Sequence, residues 1–333
     1  MRLILLALTA TCLLATPLRA SCDGQDLRET LTAGEMTLLD ARLAETPYPE
    51  GNHWRATRKD EVLHLIGTLH LSDQRLDAPV AHLTPVVAGA GRLLLEMTQT
   101  EEAELEQALA TRADMLLLPD TTLPELLPEA DWQLLSEALR LRGMPPFMAA
   151  KMRPWYVSML LAVPPCMADQ MQEQTGLDKR LAGIARENGV PTRALEPFDT
   201  AFTAFADMPL DTQILMIRSA LASPETNEDL FETLLSAYFA ETHGAGQIIL
   251  EVLSPRLTTL SDAENARIFK AMDDALLKRR NRAWIPVILD ALEETEGHVV
   301  AGFGAAHLAG ENGVLALLEA EGFTLQRLSF SEF

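Results

Sequence analysis

Residues 64–73, HLIGTLHLSD, carry an apolar, strand-like segment into Gly67-Thr68-Leu69-His70. A histidine at the carboxyl end of a buried strand stands where α/β proteins collect ligands. Residues 298–313, HVVAGFGAAHLAGENG, repeat the device, a second apolar run closing on Gly304-Ala305-Ala306-His307. That repetition decides how the rest of the chain is read.

Around the first motif, HWRATRKDEVLHLIG (53–67) reads as two strands joined by a charged turn at Lys59-Asp60-Glu61. RLDAPVAHLTPVVAGAG (75–91) reads as a helix with a glycine-rich stop, and RLLLEM (92–97) as a short buried strand ending at Glu96. The second motif follows the same order: a strand, a loop and helix stopped by Gly322, then the strand FTLQRLSF. Two such units, over about 53–97 and 297–330, read as a pseudo-repeat that could bring His70 and His307 together.

Between them, over about 98–296, apolar residues recur at helical spacing in EEAELEQALATR, EADWQLLSEALRLRG and the long stretch 261–294. Ser261 and Glu264 form a capping box, and Pro286 is expected to kink the last helix. One further strand, PTRALE near 192–196, ends at Glu196 as the earlier strand ended at Glu96. The expected fold is α/β: a central mixed sheet from two β-α-β units with a large helical insertion, forming a single domain over 21–333.

The first twenty residues, with Arg2 ahead of an apolar stretch and small residues at its end, have the layout of a secretory signal peptide. Without Arg2 and Arg19 the mature chain carries 25 Lys and Arg against 48 Asp and Glu, a formal charge of −23. That balance argues against nucleic acid and anionic membrane surfaces as partners. No membrane span is expected after signal removal, since WYVSMLLAVPP is halted by Pro164 and Pro165. Cys12 leaves with the signal, so Cys22 and Cys166 remain as a pair, expected to be bonded in the periplasm or outside the cell.

Four ionisable side chains fall at predicted strand ends: His70, Glu96, Glu196 and His307. Imidazole and carboxylate ligate Zn, Mn, Co and Fe, and two His with one carboxylate leave positions open for water and substrate. A single histidine after a strand is more often structural; two in matching positions favour a shared site. Each glutamate could be a ligand, a general base or merely the partner of an arginine. In LLKRRNRAWIPVIL (276–289), the cluster Arg279, Arg280, Asn281 and Arg282 either pairs with acidic neighbours on a solvated helix face or turns one Arg and one Asn into the site to hold an oxyanion or a substrate carboxylate. His64 is expected to pack in the sheet or to reach a residue that backs the site, and His53, His82, His243 and His298 to be surface or packing residues. There is no G-x-S-x-G elbow, P-loop or complete G-x-G-x-x-G.

These segments together, with KMRPWYVSMLL and GLDKRLAGIARENGVPTRALE, resemble the TraB/GumN family, bacterial relatives of the Tiki metalloproteases and the pheromone-shutdown protein PrgY. The resemblance covers nearly the whole mature chain. It implies a divalent metal, Zn, Mn or Co, at His70, His307 and Glu96, and functional places for Arg280, Asn281 and Glu196. His64 stands where the family leads one to expect an aromatic residue. The resulting expectation is an exported metal-dependent hydrolase acting on a peptide or protein substrate. The alternatives are a non-catalytic protein that sequesters a peptide or pheromone-like ligand, and an accessory protein of polysaccharide biosynthesis.

Overall fold

A computed structural model describes residues 22–167 and 175–331; the expected signal peptide lies outside them. The core is a six-stranded mixed sheet of β1 (His53–Arg58), β2 (Glu61–Thr68), β3 (Arg92–Leu95), β4 (Thr192–Ala194), β5 (Val299–Gly304) and β6 (Thr324–Arg327), in the order β4-β3-β5-β2-β1-β6. The β1–β2 hairpin turns at Lys59, whose φ of 54° supplies the reversal. β4, β3, β5 and β2 run parallel, and β1 pairs antiparallel with both β2 and β6.

The apolar pattern explains the layering. β5 is buried along nearly its whole length because helices cover both faces of the sheet, so its sequence reads as a continuous apolar run. Val299, Ala301 and Phe303 join Leu63, Leu65 and Leu94 against helices Arg279–Glu294 and Val314–Ala320. Val300 joins Ile66, Leu93 and Leu95 on the other face, beneath helices Asp77–Ala88 and Leu177–Glu187. A one-residue slip of any of these strands would exchange the two sets.

Both strand–helix–strand units form, but they occupy unequal places. β3 lies one strand removed from β2, across β5, whereas β6 lies two strands removed from β5, across β2 and β1. The helical part includes Gln99–Thr111, Glu129–Leu141, Pro154–Ala162 and several helices between 200 and 257. The capping box of Ser261 and Glu264 is present. The helix Arg279–Glu294 includes Pro286, and a π-helical turn, Asp273–Lys278, lies just before Arg280. Cys22 and Cys166 are disulfide-bonded, with Cα atoms 5.4 Å apart. Among the described residues no helix is long and apolar enough to cross a membrane.

Candidate functional site

The four parallel strands end on one edge of the sheet, and the chain just beyond them supplies Glu196 after β4, Glu96 after β3, His307 after β5 and His70 after β2. The two glycines of the paired motifs have different tasks. A Cβ on Gly67 would stand 2.7 Å from Leu308 Cδ1, so Gly67 lets β2 pack against the turn that carries His307. A Cβ on Gly304 would meet only ordinary contacts, 3.5 Å from Glu96 Oε1, 3.7 Å from His307 Cδ2 and 4.0 Å from His70 Nε2. Gly304 therefore forms the floor of a small space bordered by the three residues.

Arg280 is the hub. Its Nε donates to Glu196 Oε1 and Oε2 at 3.0 and 2.9 Å, and one terminal nitrogen donates to Glu96 Oε2 at 2.6 Å and to Glu196 Oε1 at 2.5 Å. The other lies 3.3 Å from His307 Nε2. Both glutamates are thus arginine partners, and the guanidinium fork is nearly buried, with a side-chain exposure of 9%. Desolvation works against its charge, but Glu196 and Glu96 outweigh it and raise the Arg280 pKa. Trp284 Nε1 adds a bond to Glu196 Oε2 at 2.8 Å, and the indole centroid lies 4.4 Å from that of the His307 ring, the planes tilted by 37°.

Glu96 is fixed at both oxygens, because Gly304 N–H donates to Oε1 at 2.7 Å. Burial favours its neutral form, yet His307, His70, Arg280 and that amide hold its pKa down to about 2. His307 is buried and pushed down to about 3, first by desolvation and then by Arg280 and His70, against the pull of Glu96. Its Nδ1 lies 2.5 Å from Asn281 Oδ1, and Asn281 Nδ2 donates to the Asn312 carbonyl at 2.8 Å, which fixes the amide. The Asn281 oxygen must then accept, so Nδ1 carries the proton and Nε2 the lone pair.

His70 is more open, with 61% of its side chain accessible, and its Nδ1 lies 3.1 Å from Asp178 Oδ1. The protein around it lowers its pKa by desolvation, but Asp178 and then Glu96 override this and raise it to about 9. Asp178 is a site residue that spacing did not single out. An acid in the first turn of helix Leu177–Glu187 also complements the helix dipole, and the sequence does not separate the two roles. The helix start is pressed against the motif: Leu177 N–H donates to the Leu69 carbonyl, and a Cβ on Gly176 would stand 2.6 Å from that oxygen.

The profile of the TraB/PrgY/gumN family matches residues 52–327, which include every strand and every residue just described. The chain belongs to this family. A comparison with curated proteins finds no match.

For a TraB/PrgY/gumN protein the implied group is a divalent metal. Two features fit it: both histidines have Nδ1 beside an oxygen acceptor, the usual backing of ligating imidazoles, and Nε2 of His70, the ring of His307 and Glu96 Oε1 border one space. One opposes it. As the side chains lie, among the described residues no three His, Cys, Asp or Glu groups stand close enough to hold a metal, and Arg280 supplies the positive charge between the glutamates. The donor set suits a metal in kind; ligation would require His70 to lose its Nε2 proton and Glu96 to share an oxygen now bonded elsewhere.

Proposed function

We propose that the protein is a metal-dependent hydrolase of the cell envelope that cleaves peptides or proteins. The observation that carries the reading is the convergence of His70, Glu96 and His307, from the ends of three adjacent parallel strands, on the space over Gly304. His70, His307 and Glu96 would hold a Zn, Mn or Co ion, which when bound would polarise a carbonyl and lower the pKa of its water. The peptide class rests on the resemblance to the Tiki branch. Export rests on the signal-like N-terminus and is consistent with the Cys22–Cys166 bond.

The chain's own groups divide the work. Glu96, a carboxylate down to about pH 2, suits a ligand better than a proton acceptor. Asn281 sets the His307 tautomer, and Asp178 orients His70. Arg280, fixed before any substrate arrives, offers positive charge to a developing oxyanion at little reorganisation cost. Glu196 holds Arg280 in place.

Arg280's complete engagement favours a second reading, a non-catalytic protein that captures a peptide on the same edge. One experiment separates the two. The mature protein and its His70→Ala and His307→Ala variants are loaded separately with Zn, Mn and Co, assayed for metal by mass spectrometry and offered a peptide library. About one metal per chain, lost in both variants with cleavage lost too, is the expected result. Peptide capture without metal or turnover would replace the hydrolase with the binding protein.

A further inference from the structure

Four of the seven histidines lie together away from the candidate site, on elements that meet under helix Asp77–Ala88: His53 on β1, His64 on β2, His82 on the helix and His298 just before β5. The ring centroids are 5.3 Å apart for His53 and His64, 5.3 Å for His64 and His298, and 6.2 Å for His53 and His82. The hydrogen bonds determine where the protons sit. His53 Nδ1 is 3.0 Å from the Ser329 carbonyl, which only accepts, so Nδ1 donates and Nε2 of the neutral ring has the lone pair. That lone pair faces His64 Nδ1 at 3.0 Å, so His64 donates to His53. His298 Nε2 donates to the Val86 carbonyl of the helix at 2.8 Å.

The chain from His64 through His53 to Ser329 accommodates one proton, because the neutral ring of the pair can present its lone pair to the charged one; a proton on both rings would set N–H against N–H at 3.0 Å. The groups facing the pair give a charge no compensation. His53 is 1% exposed; the other charges acting on the two rings are those of His82, His298 and Arg55, all of the same sign. Of the acids on the flanking elements, Glu61 is paired with Arg58, Glu294 with Arg92 and Asp77 with Arg180, while Glu296 is exposed.

We propose that these four histidines form an acid-responsive latch, which holds helix Asp77–Ala88 and the C-terminal segment at Ser329 to the sheet and releases them on taking up protons. The latch bears on the edge described above, because this helix joins β2, which leads to His70, to β3, which leads to Glu96. Desolvation, with His82, His298 and Arg55, brings His53 and His64 down to about 4. Their folded values lie below the ordinary 6.5, so the stability they contribute is complete above that pH and falls as the pH drops from 6.5 to 4. Each imidazole shifts the folded-to-unfolded ratio by up to about 10-fold per pH unit in that window.

The test follows denaturant unfolding and amide exchange of the whole mature protein between pH 7.5 and 4.5, in the wild type and in His64→Asn, which keeps a donor toward His53 but cannot charge. The expected wild-type result is a folding ratio that falls steeply below pH 6.5, with protection lost first in 77–88 and 328–331. His64→Asn should show a slope shallower by about one imidazole. Equal slopes, or protection in both segments unchanged to pH 5 after correction for the chemical rate, would overturn the proposal. If His64→Asn does not fold, nitrogen NMR of the wild-type imidazoles decides: His53 must keep its Nδ1 proton and stay neutral to below pH 5, and titration near 6.5 refutes the latch.

Discussion

Arg280→Met tests the reasoning about the site most directly. The substitution keeps an apolar stem of similar reach and removes a guanidinium whose fork holds Glu196 by three contacts and Glu96 by one. Glu96 and Glu196 have side-chain exposures of only 16% and 7%, so water replaces the lost partner poorly. What remains is the Gly304 amide for Glu96 and the Trp284 indole for Glu196. Removing one partner of a buried ion pair costs about 3–5 kcal/mol, most of it the uncompensated charge left behind, and that is the expected loss at pH 7. The pH dependence has a definite sign. Glu96 in the wild type is held at about 2 against an ordinary 4.5, so its contribution is present above pH 4.5 and lost as the pH falls from 4.5 to 2, a span worth about 3 kcal/mol. The variant gives up part of that span because its Glu96 protonates more readily. The difference between wild type and Arg280→Met, read by urea unfolding with circular dichroism, should therefore shrink as pH is lowered from 7 to 3. A loss below about 1 kcal/mol at pH 7, or one that does not change with pH, would refute the account of Arg280 as the charge that holds the two glutamates.

Gly304→Ala should fold with a stability change below about 1 kcal/mol, since the added methyl makes contacts of 3.5–4.0 Å, yet abolish metal uptake by filling the space; unchanged metal uptake would place the site elsewhere. Asp178→Asn should bring the His70 pKa down from about 9, and the stability that this charge contributes, present below pH 6.5 and lost as pH rises toward 9, should diminish; imidazole NMR reads both. Cys22→Ser with Cys166→Ser opens a loop of sequence separation 144 and should cost about 3–5 kcal/mol in denaturant unfolding, whereas a loss under 1 kcal/mol would mean that the N-terminal segment docks without the bond.

The sheet and its working edge were legible because their signals are local. Apolar runs of strand length, the glycine and charged-turn stops, and the four ionisable residues just past strand ends all follow from chain periodicity and turn chemistry. The disulfide was also legible, from the cysteine count and the signal-like N-terminus. The unequal placing of the two β-α-β units was not, since strand order depends on which edges remain to be paired after β1 and β2 form their hairpin. The π turn that precedes Arg280 was not legible either, since no local sequence signal separates it from the α-helical spacing on both sides.

The strands, the residues at their carboxyl ends and the family are readable from the chain alone, since each depends on residue order within a short window or on motifs in a fixed succession. The partners of those residues come from the fold. Arg280 and Glu196 are 84 residues apart, and His70 and Asp178 lie on elements separated by much of the helical insertion. The same structure gathers four histidines that read singly as surface or sheet-packing residues into one cluster of rings, in which His53 and His64 are hydrogen-bonded to each other. Charge and hydrogen bonding act over a few ångströms of space, and no spacing along the chain specifies which side chains the folded sheet will bring within that reach.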